Sequence, residues 1–200
     1  MLRSARVVAV LVAATMCGPA TAAGPARTPP DTWSTVGYQQ LRFGMGPGDV
    51  EDALKKGEGP LYLDKALELE SPMPGIALGT PTGSRVSVAG RGTTAVVFAF
   101  WQNQLYLVAL VFTGGDKDPG TPEWFKEVSR LLSEKYGASE SCGKEECSWT
   151  KGDLNVHLGI SLEAKEKIGG LQYKSISLSA KVDQAIEDFK KDPKTNSKDL

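Results

Sequence analysis

Thr94-Ala95-Val96-Val97-Phe98-Ala99-Phe100-Trp101-Gln102-Asn103-Gln104-Leu105-Tyr106-Leu107-Val108-Ala109-Leu110-Val111-Phe112 is the stretch on which the fold turns. Two β-rich runs, 94–101 and 105–112, flank Gln102-Asn103-Gln104, a pattern that predicts a β-hairpin. In the first run Val96, Phe98 and Phe100 point one way, and Ala95, Val97, Ala99 and Trp101 the other. Both faces are apolar, so both are expected to be covered. Large exposed apolar patches are rare, which makes helices of the same chain the economical cover.

Upstream, Phe43-Gly44-Met45-Gly46-Pro47-Gly48-Asp49-Val50-Glu51-Asp52-Ala53-Leu54 marks the start of a helix. Pro47 suits the first helical position, where a backbone N–H would have no partner anyway. Asp49, Glu51 and Asp52 bring negative charge to the positive end of the helix dipole. Val50, Ala53 and Leu54 share a face, and Gly57 is the expected stop. Residues 57–92 contain seven glycines and four prolines, which argues against a continuous helix. A structureless loop of that length is uncommon in a compact domain. Short strands are therefore expected near 61–63, 66–69 and 85–88, and any lid or partner-binding loop is expected in this segment.

Downstream, Thr121-Pro122-Glu123-Trp124 supplies an N-cap and a proline at the first helical position. Phe125, Val128, Leu132 and Tyr136 form the apolar stripe of that helix, and Gly137 ends it. Strands are expected near 146–150, 154–162 and 171–178. In the middle one Leu154, Val156, Leu158, Ile160 and Leu162 alternate with Asn155, His157, Gly159 and Ser161, the pattern of a half-solvated strand. Val182, Ala185, Ile186 and Phe189 mark a short amphipathic helix, and residues 191–200 form a polar tail expected to be disordered. This order predicts an α+β fold: an antiparallel sheet built from two αββ-like units, 36–114 and 120–180, with helices packed on it in a single domain spanning 36–190.

Residues 1–23 have the three-part order of a cleavable secretory signal. Arg3 and Arg6 precede a ten-residue apolar run from Val7 to Met16, and Ala20-Thr21-Ala22-Ala23 offers small residues for cleavage. The run is too short to span a bilayer, which takes about 20 residues, and no later segment is long and uniform enough to do so. A competing reading lipidates Cys17; Met16, where a small residue is required, argues against it. Gly24 to Thr35 reads as a disordered linker. The expected location is therefore the periplasm or the extracellular medium. Without Arg3 and Arg6 the 23 basic residues become 21 against 24 acids, a net charge of −3. A general nucleic-acid-binding surface, which needs a basic excess, is excluded on this ground.

The mature chain keeps two cysteines, in Ser141-Cys142-Gly143-Lys144-Glu145-Glu146-Cys147-Ser148-Trp149. Gly143-Lys144-Glu145 looks like a turn that lets Cys142 and Cys147 face each other, and an oxidising compartment favours a disulfide between them. A zinc half-site would need two more ligands, and His157 is the only histidine. The spacing is too long for a redox-active pair.

Phe43-Gly44-Met45-x4-Val50-x3-Leu54 resembles the opening of small exported bacterial proteins of the SmpA/OmlA type, and Leu132-x2-Lys135-Tyr136-Gly137 with Trp149 resembles a pattern of periplasmic proteins. Tandem units of this shape also resemble β-lactamase inhibitory proteins. The resemblance implies an envelope or extracellular protein with a protein partner. It carries no functional residue onto this chain.

Candidate chemistry is sparse. His157 lies on the polar face of a strand with no activated nucleophile near it in sequence, and a solvated role is expected. Asp116-x-Asp118 with Glu127 begins like a calcium loop, but Gly120 and Thr121 stand where a ligand and a glycine are needed. Gly44-x-Gly46-x-Gly48 lacks the spacing and preceding strand of a dinucleotide site. Asp49, Glu51 and Asp52, like Glu145 and Glu146, read as solvated charges. Trp101, Trp124 and Trp149 read as core; Trp33 and Tyr38 read either as docking the N-terminal arm or a partner, or equally as solvent-exposed. No catalytic, cofactor-binding or metal-ligating residue is assigned. The sequence expectation is an exported, non-enzymatic protein-binding or envelope accessory module. The alternatives are a small hydrolase with a carboxylate site in 57–92 and a small-ligand carrier using the sheet face.

Overall fold

A computed structural model describes residues 37–55, 61–63, 67–73, 75–80, 86–113, 121–163 and 166–191. The signal segment 1–23 with Cys17, the linker 24–35 with Trp33, the loop holding Asp116 and Asp118, and residues 192–200 lie outside the described residues. Within them run α1 (Pro47–Lys55), β1 (Glu68–Met73), β2 (Ile76–Thr80), β3 (Ser87–Val88), β4 (Arg91–Gly92), β5 (Ala95–Trp101), β6 (Gln104–Thr113), α2 (Pro122–Tyr136), β7 (Ser141–Cys142), β8 (Glu146–Lys151), β9 (Leu154–Glu163), β10 (Glu166–Ser175) and α3 (Ile176–Lys191). Eight of these strands form one antiparallel sheet in the order β1-β2-β5-β6-β10-β9-β8-β7, and β3 pairs with β4 in a separate small hairpin.

The α+β class is as expected, but the unit is larger than αββ. Helix α1 is followed by the four-stranded meander β1-β2-β5-β6, and α2 by the meander β7-β8-β9-β10. The two meanders join along their last strands, Leu110 opposite Leu171. In the sequence, glycines and prolines of 57–92 conceal two of these strands. The strand expected at 66–69 runs instead as Glu68–Met73, and Ile76–Thr80 is a further strand that the sequence pattern does not mark. Gly79 explains part of this: it looks like a strand breaker, yet it sits under Leu67, whose side chain would stand 2.9 Å from an added Cβ. The segment expected to hold a lid thus supplies one edge of the sheet.

The β5–β6 hairpin forms as predicted, with a tighter turn. Gln102 and Asn103 both have positive φ (48° and 62°), and Trp101 pairs with Gln104. Two such residues make the turn whose twist matches the flanking strands. Phe100 pairs with Leu105 and Ala99 with Leu107, so Tyr106 is the extra residue of a bulge. A bulge shifts the alternation by one residue. Leu105, Val108, Leu110 and Phe112 consequently join one core cluster, while Tyr106, Leu107 and Ala109 join the other.

Both sheet faces are covered by helices of the chain. On one face α1 contributes Val50 and Leu54, and α2 contributes Trp124, Phe125, Val128 and Leu132, against Phe98, Phe100, Phe112, Trp149, Leu158 and Leu171. On the other, α3 lays Leu178, Val182 and Ile186 over Ile76, Val97, Ala99 and Ala109. Trp124 and Trp149 are buried core residues as expected, whereas Trp101 is half-buried at the edge of the second cluster.

The last strand and helix are redistributed relative to expectation. β10 starts at Glu166 and stops at Ser175, and Leu178 is helical. The cause is an N-terminal cap shared between two elements. The Ser175 hydroxyl accepts from the Leu178 N–H (3.2 Å), one Asp153 carboxylate oxygen accepts from the Ser177 N–H (2.7 Å), and the Asp153 carbonyl accepts from the Ile176 N–H (2.8 Å). The first three N–H groups of α3, which have no partner within the helix, are thereby satisfied from Ser175 and from the β8–β9 turn. At the other end of the sheet Thr121 caps α2 as predicted, its hydroxyl accepting from the Trp124 N–H at 3.2 Å.

Candidate functional site

Helix α3 crosses the β5–β6 half of its face and leaves the β9–β10 half with a hollow. Register sets what lies there. Along that face β9 and β10 present three consecutive cross-strand pairs: His157 opposite Gln172, Gly159 opposite Gly170, and Ser161 opposite Ile168. Two glycines facing each other put no side chains on the middle row. Gly159 has no positive φ, so its backbone does not demand glycine; a Cβ there would stand 3.1 Å from Cε1 of His157. The result is a cavity of about 590 Å³ floored by the glycine pair and bounded by His157, Gln172, Ile168, Ser161 and the loop 143–146. That volume lies within the range of small-molecule sites, roughly 300–1,000 Å³.

Gln172 is 6% exposed, and its amide oxygen has no hydrogen-bond partner. An unpaired buried acceptor costs about 1–3 kcal/mol; this oxygen is closed to solvent, so it lies behind the cavity wall that other atoms of Gln172 help to form. Next to it, His157 is half-buried rather than solvated as the sequence suggested, with its side chain 34% exposed. Burial pushes its imidazole below the ordinary value; the Glu146 carboxylate draws it back up and Lys174 lowers it further. The net direction leaves it uncharged at neutral pH. Glu146, exposed at the mouth, places a carboxylate oxygen 3.8 Å from His157 Nε2, beyond direct hydrogen-bond length. Lys174, one row away on β10, is itself lowered by burial, with Asp183 of α3 as its electrostatic counterpart.

The wall 143–146 is anchored on three sides. Cys142 and Cys147 are directly opposite each other on β7 and β8 at disulfide distance, Cα–Cα 4.1 Å, as expected from their spacing. The Gly143 N–H donates to the Glu146 carbonyl and the Ile160 N–H to the Glu145 carbonyl, each at 2.8 Å. Cys147 is buried in the core beneath the sheet while Cys142 is exposed, so the bridge ties the rim of the cavity to the packed interior.

The other candidates go elsewhere. Asp49 accepts from the Gly46 N–H (3.0 Å). Glu51 accepts from the Leu67 N–H (2.8 Å) and pairs with Lys55 (3.0 Å), which lower its carboxyl; it ties α1 to the segment before β1. Glu68 and Glu70, the described acids of the hydrolase segment, are exposed on the edge strand β1. Glu127 pairs with Arg130 on α2 (2.8 Å). Gly44 takes φ 90° in a turn, where its N–H donates to the Leu105 carbonyl. Tyr38 packs its ring on Tyr173, 4.9 Å between centroids. Among the described residues no three His, Cys, Asp or Glu side chains come together as a metal site, and no helix is long and apolar enough to cross a membrane. Sequence reading named His157 and Glu146 singly and passed over Gln172, Gly159 and Gly170. The signal that could have found them is glycine inside strands, which marks close approach or an open floor. Comparison with protein-family models, with curated proteins and with solved structures yields no match for this chain.

Proposed function

We propose that this is an exported protein of the periplasm or extracellular medium that binds a partner protein without transforming it, and that the hollow beside His157 is where it binds. The observation that carries the reading is the open hollow that the facing Gly159–Gly170 pair leaves on the β9–β10 half of the sheet, flanked by His157 and the loop 143–146. Export is supported by the order of residues 1–23 and by a cysteine pair at disulfide distance, which suits an oxidising compartment. A small-ligand carrier is the second reading, favoured by the cavity volume.

Two measurements test this. The mass of the mature protein is expected to show an N-terminus near Ala23 or Gly24; a lipid adduct on Cys17 or an uncleaved chain would replace the soluble, exported reading. A photo-crosslinking residue placed at Ser161, on the cavity rim, is expected to capture a reproducible partner that the same residue at Lys126, on the exposed face of α2, does not. Equal capture from both positions, or none from Ser161, would overturn the placement of the site.

A further inference from the structure

We propose that Cys142 and Cys147 form a redox latch on the wall of the hollow: bridged, they hold the loop 143–146 in place beside β9, and reduced, they release it. This rests on the reading of the hollow as the binding surface and names how that surface is regulated. The wall is the whole of the segment between the two cysteines, so its two ends are the two sulfur-bearing residues. β7, which carries Cys142, is a two-residue strand at the sheet edge, paired with β8 only through Ser141 with Ser148 and Cys142 with Cys147. The Glu140 N–H on the Ser148 carbonyl (2.9 Å) and the Ser141 and Ser148 hydroxyls (2.9 Å apart) fasten the chain as far as Ser141. From Cys142 onward the covalent hold is the bridge. Beyond it, the Glu145 carbonyl accepts the Ile160 N–H at 2.8 Å, which joins the wall to β9.

The two sulfurs are not equivalent. Cys142 is exposed, whereas Cys147 is 1% exposed, so a thiolate arriving from solvent meets Cys142. The bridge spans a sequence separation of 5, which gives it little support from chain entropy, and exposed bridges are the ones that exchange readily. The reductant is a dithiol, of the class carried by exported thiol–disulfide oxidoreductases. One of its sulfurs, as thiolate, attacks Sγ of Cys142; the bond between the two protein sulfurs breaks, and Cys147 leaves and takes up a proton, because apolar surroundings disfavour its thiolate. The second reductant thiol then attacks the mixed disulfide and frees Cys142 as a thiol. The protein gains two electrons and two protons, and the reductant ends as a disulfide. With its ends parted, the wall no longer holds Glu146 beside His157 or the Glu145 carbonyl on Ile160, and the hollow loses one side. A partner must then order the wall as it binds, which weakens binding.

The test is NMR of the backbone amides and the His157 ring of the mature protein before and after addition of dithiothreitol, with photo-crosslinking capture from Ser161 measured in both states. Reduction is expected under native conditions and is expected to move the signals of Gly143, Gly159 and the His157 ring. Exchange of the Ile160 amide is expected to quicken about tenfold, while Phe98 and Leu110 keep their signals and protection. Cys142→Ser combined with Cys147→Ser is expected to give the same signals at the hollow without reductant, and capture from Ser161 is expected to fall in both cases. Two free thiols before reductant is added, reduction only as the whole chain unfolds, loss of the Phe98 and Leu110 signals on reduction, or unmoved Gly159 and His157 signals would each overturn the latch. Equal capture in the two states would overturn the regulation and leave the binding surface standing. Capture in neither state, with the wall signals moving as expected, would leave the latch standing and remove the reading of the hollow as the binding surface.

Discussion

Gly169 points from β10 toward α2, and the indole of Trp124 occupies the space a side chain would take. A Cβ there would stand 2.9 Å from Cζ3 of Trp124 and 3.6 Å from Cβ of Phe112. Trp124 is 4% exposed and packs on Phe112 with ring centroids 5.1 Å apart, so it has little room to retreat. Gly169→Ala is expected to destabilise the protein by about 1–3 kcal/mol in urea unfolding, the usual range for overpacking. Three residues along, on the opposite face, the sign reverses. Gln172→Leu removes an unpaired buried acceptor and is expected to raise stability by about 1–2 kcal/mol. His157 gives a pH dependence. Its native pKa is depressed, so the unfolded chain, with an imidazole near 6.5, takes up its proton first on acidification. The stability is complete above about pH 6.5, falls as the pH drops toward the native value, and levels below it. Urea midpoints measured across this range are expected to show the fall in the wild type and not in His157→Gln. Glu146→Gln is expected to steepen it, because that carboxylate holds the imidazole value up.

At the level of elements, the start of α3 depends on a residue from another hairpin. Asp153 satisfies the Ser177 and Ile176 N–H groups and also accepts from the Ser175 hydroxyl. Asp153→Ala is expected to lower stability by about 1–2 kcal/mol, comparable to loss of an N-cap, with faster amide exchange in the first turn of α3. This cap also shows where sequence reading stops. The β5–β6 hairpin, the helix starts at Pro47 and Thr121, and the alternation of β9 were legible because each is written in neighbouring residues: apolar period, proline, capping hydroxyl. The end of β10 was not, because Ser175 looks like any strand serine until Asp153, 22 positions earlier, is placed beside it. β2 was hidden because Gly79 is there for Leu67, a contact that periodicity does not record. The candidate site was legible only in pieces. His157, Glu146 and the cysteine turn stand out one by one, but their meeting with Gln172 and Gly170 depends on the register of β9 against β10, where a one-residue slip would turn every side chain to the other face.

For the molecule as a whole, the covalent bridge sits at the edge farthest from β1 and closes only a short loop. Replacing Cys142 and Cys147 by serine is expected to cost about 2 kcal/mol in the chain-entropy model. The sheet should persist, because the core around Phe98, Phe100 and Leu110 lies several strands away. Exchange at the Ile160 and Gly143 amides is expected to accelerate, since both are bonded to the wall that the bridge secures. The line where β6 meets β10 has a different consequence, one of timing. β6 is among the most apolar strands, and one of its long edges is completed at once by the local hairpin with β5. Its other edge waits for residues such as Leu171, 61 positions later than the Leu110 it pairs with. A chain emerging from its N-terminus therefore exposes an unpaired hydrophobic strand edge until its C-terminal third arrives, the kind of edge that recruits other chains. Non-local pairing of this sort slows folding, and it is the arrival of the last meander that closes this edge.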